Sequence, residues 1–135
     1  MSEAVFIDSS FWIALRDARE PGHDFARDLL ARLFRQRTLF VLTLPVFGEI
    51  HAYFSRSARL RQQVLADFWN NPVARIEAVP FSDLNDAVEL LRQHPDKAYS
   101  LCDAISFVVM RRLQLRRVLT FDHHFMQFGE FQVVA

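Results

Sequence analysis

Four acidic residues, Asp8, Glu49, Asp103 and Asp122, stand where a short apolar segment ends or on the border of an apolar stripe. Asp8 follows "AVFI" and Asp122 follows "VLTF", so each is expected at the tip of a short buried strand. Asp103 lies near the start of "SLCDAISFVVM", and Glu49 lies within "PVFGEIHAYF" beside Val46 and Tyr53. Carboxylates gathered at a sheet edge repel, by roughly 4 kcal/mol for a pair at ~4 Å and an effective dielectric of ~20. No lysine adjoins any of these acids. A hard divalent cation, Mg²⁺ with Mn²⁺ as a substitute, removes that cost, because carboxylate oxygens are its preferred ligands. Each acid also has a plainer reading. Ser100 and Asp103 form a capping-box pattern, Asp8 and Asp122 can cap the turns that follow them, and Glu49 can pair with an arginine.

Other polar residues fall close to these four. Thr120, two residues before Asp122, shares its side of a strand and is a candidate to orient it by a hydrogen bond, with Ser10 and Ser100 weaker candidates for the same duty. His123 and His124 lack the spacing of a zinc site and are expected as exposed turn residues, and His51 projects elsewhere on its helix. Trp12 is expected in the core. The single Cys102 excludes an internal disulfide and a zinc knuckle, and is expected as a reduced thiol in the core.

The elements that would position these residues alternate. "AVFID" (4–8), "LFVLT" (39–43), "ARIEAVPF" (74–81) and "RVLTFD" (117–122) read as strands, with "FQVV" (131–134) a possible fifth and the third a half-exposed edge. Helices are expected after Ser9 or Ser10 as N-cap, after the Pro21-Gly22 break, and from Pro45 in a first turn. Further helices are expected over 58–69, after Ser82 as a cap, and over the apolar segment from Ser100. The helix after Gly22 should turn Phe25, Leu29, Leu30, Leu33 and Phe34 inward, and the next should turn Val46, Ile50, Tyr53 and Phe54 inward. Alternating strands and helices predict a three-layer α/β/α fold around a parallel sheet of four to five strands, in one domain spanning 1–135. Ligands of such sheets sit beyond the carboxyl ends of the strands, where the strand order switches.

Composition bounds the partners. The chain has 135 residues, is 51% hydrophobic and contains 14 Phe, so it supports a substantial core. No apolar run approaches the ~20 residues of a membrane span and no signal segment opens the chain, which predicts a cytoplasmic protein with no membrane partner. Zero net charge argues against a nucleic-acid partner at first sight. Of the 16 bases, however, all but Lys97 are Arg, and four acids committed to a metal would leave 16 bases against 12 acids. The groups Arg56, Arg59, Arg61 and Arg111, Arg112, Arg116, Arg117 are each read as solvated faces and ion pairs. The phenylalanine content fits either a Phe-rich core or an apolar interface.

Taken together, "FIDSSFWIAL", "PVFGEIHAYF", "YSLCDAISFVVM" and "VLTFDHHF" resemble, in order and spacing, the PIN-domain family, in particular the VapC-type toxins of prokaryotic toxin–antitoxin pairs. The resemblance carries the family's acidic quartet onto Asp8, Glu49, Asp103 and Asp122, and its hydroxyl before the last acid onto Thr120. Many members bear a further acid just beyond the last one, and this sequence departs from them with His123 and His124. The resemblance implies a Mg²⁺-dependent endoribonuclease in which Asp8 and Asp103 ligate directly and arginines hold flanking phosphates. It also implies an RNA substrate, a homodimer and a small cognate antitoxin. The alternative is a catalytically inactive RNA-binding or protein-interaction module of the same fold. A phosphotransfer domain fits less well: Ser9 and Ser10 replace the Asp-x-Asp of one class, and Lys97 is misplaced for the other.

Overall fold

The computed structural model describes residues 3–134, so the ends of the expected 1–135 domain lie outside the described residues. Five strands, β1 (Ala4–Ile7), β2 (Leu39–Thr43), β3 (Ala74–Glu77), β4 (Arg117–Leu119) and β5 (Gln132–Val133), form one sheet in the order β3-β2-β1-β4-β5. All four pairings are parallel, with Phe6 opposite both Val41 and Val118. Central β1 is covered on both faces, and Val5, Phe6 and Ile7 are fully buried. β3 is the half-exposed edge expected, and it stops at Glu77, short of the Pro80 that could not have continued a ladder.

Seven helices connect the strands among the described residues: α1 (Ser9–Arg16), α2 (His23–Arg35), α3 (Leu44–Tyr53), α4 (Ala58–Phe68), α5 (Phe81–Gln93), α6 (Leu101–Arg112) and α7 (His123–Phe128). α1 packs on α2 and α3, α3 packs on α4, and α5 packs on α6. Right-handed crossovers between parallel strands put α1–α4 on one face and α5–α7 on the other, the expected three layers. On the second face the Phe107 ring stacks on Phe128 at 4.2 Å and meets Phe125 edge-on at 4.9 Å, which seats α7 against α6. α6 is the central helix that its all-round apolar pattern predicts, buried from Asp103 to Met110 without a break.

Local chemistry sets most helix starts. Thr43 caps Val46 N–H at 3.2 Å with Pro45 in the first turn of α3, and Ser57 caps Leu60 N–H at 3.2 Å. Two expected caps are absent. The N-cap of α1 is Asp8 rather than Ser9 or Ser10, and that of α5 is Pro80 rather than Ser82, each without a side-chain bond. The extended conformation of Pro80 starts α5 a turn position early. For α1 the serine hydroxyls are drawn instead to acids, as described below.

The inner faces also differ in part. α2 buries Ala26, Leu29 and Leu33, while Phe25 and Phe34 are 50% and 61% exposed. The buried stripe passes between the two rings, because a narrow helix–helix seam accommodates Ala26 more readily than Phe25. α3 buries Phe47 and leaves Tyr53 47% exposed, its hydroxyl donating to Asp17 Oδ2 at 3.0 Å. The polar tip of a tyrosine favours such a rim position. Of the 14 Phe, eight are buried and four exposed, so most of the phenylalanine serves the core. Trp12 is buried as expected, and its indole donates to Asp67 at 2.8 Å. No described helix is long and apolar enough to cross a membrane.

Candidate active site

β1 and β4 are neighbours where the strand order changes direction, and Asp8 N–H donates to Leu119 O at 3.0 Å just beyond their ends. This is the switch point at which parallel sheets bind ligands. Asp8, 4% exposed, accepts at Oδ2 from the Ser10 hydroxyl at 2.7 Å and the Thr120 hydroxyl at 2.8 Å. The same two hydroxyls accept backbone N–H groups from the β4 side, Ser10 from Phe121 and Thr120 from Asp122, each at 2.9 Å. The two strand tips are thereby laced together through a single carboxylate oxygen. Thr120 orients Asp8 by its side chain and touches Asp122 only at the backbone, so its partner differs from the one expected.

Asp103 arrives from the other side of the sheet on the first turn of α6. It closes a reciprocal capping box, accepting Ser100 N–H at Oδ2 while Ser100 Oγ accepts Asp103 N–H, both at 3.0 Å. Asp122 caps α7 through Oδ1, which accepts His124 N–H at 3.0 Å. The capping readings of these two acids therefore hold. They leave capacity to spare: Asp8 Oδ1, Asp103 Oδ1 and Asp122 Oδ2 have no hydrogen-bond partner among the described residues. Glu49 extends from α3, exposed to solvent, and accepts from the Ser9 hydroxyl.

The electrostatics link Asp8 to Asp103 and Asp122, and bring Glu49 in only through the neighbouring Cys102. Burial pushes Asp8 up to about 6, against the lowering effect of its two hydroxyl partners and with the charges of Asp103 and Asp122 adding to the rise. Cys102 is a free, half-buried thiol packed against the edge of the core beside the acids. Burial and then the charges of Glu49, Asp8 and Asp103 push its thiol up to about 12. None of the four acids pairs with an arginine or lysine among the described residues, whereas Asp17, Asp67, Glu77, Asp83 and Glu130 all do. The plainer reading of Glu49, a pair with an arginine, is not realised among the described residues, and its bond is to Ser9 instead.

His124 is the residue that sequence reasoning missed. It is not an exposed turn residue: its ring is largely covered, with Nδ1 2.7 Å from Asp103 Oδ2 and 3.4 Å from Asp122 Oδ1. An ionised carboxylate only accepts, so Nδ1 carries the proton, and the ring bridges the two acids. His123, by contrast, is exposed as expected, although Asp122, His123 and His124 offer ligand atoms within 4.8 Å of one another. No local signal marks His124, since the spacing of Phe125 and Phe128 gives an apolar pair but not where their helix docks.

The arginine groups divide. Arg111, Arg112 and Arg117 pair with Glu130, Asp83 and Glu3 at the end of α6 and the start of β4, the sheet edge opposite the acids. That group satisfies other carboxylates and is too distant to hold phosphates at this site. Arg56 and Arg59 pair with no acid among the described residues, and they line a groove of about 580 Å³ that Tyr53 and Arg19 also border.

A family model for the PIN domain matches residues 5–130. The 23S rRNA-specific endonuclease VapC20 of Mycobacterium tuberculosis is 33% identical over 131 residues, covering 96% of this chain and 97% of that protein. The crystal structure of VapC20, described as a sarcin–ricin loop cleaving toxin, superposes with a TM-score of 0.83 at 30% identity over 96% of this chain and 98% of that one. A toxin–antitoxin complex from Klebsiella pneumoniae matches at TM-score 0.71 and 16% identity, covering 97% and 96% of the two chains. VapBC2 from Rickettsia felis, bound to promoter DNA, matches at 0.67 and 11%, covering 96% of each chain. At those identities the last two speak for the fold alone. Sequence and architecture agree that this chain belongs to the PIN-domain family.

Proposed function

We infer that this protein is a metal-dependent endoribonuclease that hydrolyses RNA phosphodiester bonds, and that it is the toxin of a toxin–antitoxin pair. One observation carries the reading. Four acids, from the end of β1, from α3 and α6 and from the β4–α7 junction, share one sheet edge without an arginine or lysine partner among the described residues, and each keeps one oxygen free of hydrogen bonds there. Such a donor set fits Mg²⁺, with Mn²⁺ as a substitute. Asp8 and Asp103 would ligate directly, and Glu49 and Asp122 would complete the set. A divalent cation held there supplies activation of a water and relief of charge on the leaving oxygen.

The chain's own residues do the rest. Ser10 and Thr120 fix the rotamer of Asp8, while Ser100 and His124 fix that of Asp103, so each free oxygen is preorganised. Arg56 and Arg59 are available to phosphates flanking the scissile one. The substrate class is supported by the name of VapC20, and a large-subunit rRNA hairpin is therefore the first RNA to test. The chain would act in the cytoplasm as a homodimer. An antitoxin tail carrying Arg or Lys would silence it by pairing with the acid edge.

The test is cleavage of an end-labelled sarcin–ricin hairpin and of tRNA by wild type and Asp122→Asn in Mg²⁺ or Mn²⁺. Wild type is expected to cut at few positions. Chelation and the substitution are each expected to abolish cleavage while RNA binding persists. Cleavage that survives both would refute the metal reading, and metal binding without cleavage of any RNA would favour the inactive-module alternative.

A further inference from the structure

Beside the acids lies a second cavity, of about 400 Å³, that catalysis by the quartet does not use. Its walls are Ile13, Ala14, Pro21, Tyr53 and Phe121, with Glu20 the acid among them. It shares Ser9 and Ser10 with the acid site, the residues that bond to Glu49 and Asp8. A group seated in it is therefore the immediate neighbour of whatever the acids hold.

Two of the walls are exposed aromatic rings held from behind. Phe121, 41% exposed, stacks on Phe11 at 5.7 Å and meets Phe25 edge-on at 6.3 Å. Gly22 permits this: a Cβ there would stand 2.8 Å from Phe121 Cζ, so the ring lies directly on the backbone. Tyr53 is fixed by its bond to Asp17 and by edge contact with Phe54 at 4.9 Å. Rings exposed on one face and braced on the other are what stacking on a planar partner needs, since little rotamer entropy remains to be lost. Tyr53 also borders the groove lined by Arg56 and Arg59, so a chain whose phosphates follow that groove can deliver a side group into the cavity.

The polar group selects among planar partners. Glu20 is half-buried and has no ion pair among the described residues. A carboxylate accepts two parallel hydrogen bonds, and among the four RNA bases only guanine presents two adjacent donors, N1–H and the N2 amino group, on one edge. Adenine, cytosine and uracil each set an acceptor beside their donor, which a carboxylate repels.

We propose that this cavity is a nucleobase subsite that takes an unstacked guanine next to the scissile phosphate, with Phe121 and Tyr53 as stacking walls and Glu20 as the reader of the guanine edge. The proposal rests on the ribonuclease reading and adds a base preference to it. A flipped, stacked and edge-read base is the ordinary mode of recognising unpaired RNA.

The experiment separates the two readings by measuring binding without cleavage. Labelled six-nucleotide RNAs with G, inosine or A at one position in a uridine background are titrated by fluorescence anisotropy in chelator, at low and moderate salt. The proteins are wild type, Glu20→Gln and Phe121→Ala, each checked for an unchanged circular-dichroism spectrum. Wild type is expected to bind the G oligomer about tenfold more tightly than the A oligomer, with inosine between, because one good base contact is worth about a factor of ten. Glu20→Gln, the gentler change, should bring that ratio close to one, while Phe121→Ala should weaken the G oligomer by about tenfold. Equal binding of all three oligomers, or an undiminished preference in Glu20→Gln, would overturn the subsite whatever the cleavage assay shows. Variants that bind every oligomer as wild type does, yet lose binding of an arginine- and leucine-rich peptide that wild type holds, would assign the cavity to a protein partner and also overturn it. Guanine-selective binding by a protein that cuts no RNA in Mg²⁺ would support the subsite and sink the ribonuclease reading alone.

Discussion

Replacing Asp8 by Asn should stabilise the metal-free protein, although Asp8 is almost completely buried and hydrogen-bonded. Its carboxyl is pushed up from 3.8 to about 6, so the folded state binds the Asp8 proton more tightly than the unfolded state does. Stability therefore falls as pH rises between about 4 and 6, and the full penalty applies above that window. A shift of about two units corresponds to an upper bound of about 3 kcal/mol at 1.36 kcal/mol per unit. Asn retains an oxygen to accept from Ser10 and Thr120 but carries no charge to desolvate or to meet Asp103 and Asp122. We expect Asp8→Asn to gain about 1–3 kcal/mol at pH 7.5, or roughly 3–10 °C in Tm for a chain of this size. The gain should vanish near pH 3.5, where both side chains are neutral. Thermal melts from pH 3.5 to 8 in chelator read this directly, and added Mn²⁺ should narrow the gap by stabilising wild type only. A variant that melts below wild type at pH 7.5 in chelator, or a difference independent of pH, would refute the picture of a desolvated, repelling carboxylate.

Three further outcomes follow from the same geometry. Arg112→Ala should destabilise by about 1–3 kcal/mol in urea unfolding, since it strips the 2.8 Å partner from buried Asp83, the estimate being reduced because Arg112 is partly exposed. RNA affinity should rise about tenfold when Ca²⁺ replaces chelator, because neutralising the acid edge removes its repulsion of phosphate; an unchanged affinity would count against a metal held beside the substrate. Light scattering at micromolar concentration should report a dimer, and a strict monomer would remove that partner.

The legible part of the fold was what period and punctuation encode. The alternation of apolar runs with amphipathic segments gave the parallel sheet, and the all-round apolar pattern from Ala104 to Met110 gave the central helix. Asp8 could be set at the tip of β1, whereas β4 stops at Leu119 and Asp122 stands three residues further on, as the N-cap of α7. The sequence said less about where side-chain hydroxyls would go. Ser9 and Ser10 looked like helix caps because serine often accepts a first-turn N–H there, but both hydroxyls instead donate to carboxylates, Ser9 to Glu49 and Ser10 to Asp8, in charge-assisted bonds. Tertiary contact also decided Phe25 and Phe34, whose helical phase matched the stripe while the seam had room only for Ala26. His124 was hidden for the same reason, since only the seating of α7 against α6 brings its ring over Asp103, and that seating depends on residues far apart in the chain.

The zero net charge conceals a segregation that explains how a neutral chain can serve a polyanion. Pairing within the fold is not spread evenly. The arginines at the end of α6 and the start of β4 are spent on Glu130, Asp83 and Glu3, and Arg16 is spent on Asp67. Among the described residues this leaves two features without an ion-pair partner: the acid cluster and, across Tyr53, Arg56 and Arg59, in a groove that Arg16 also lines. The acids repel one another, while the exposed Arg56 and Arg59 keep their donors on solvent and free for a phosphate. A divalent cation relieves the acids and a phosphodiester chain can occupy the arginine groove, so the two features together complement a metal-bound polyanion. Net charge was therefore the wrong statistic for excluding nucleic acid. The useful quantity is the charge left over after internal pairing, and here it lies in the acid cluster and in the neighbouring groove of Arg56 and Arg59.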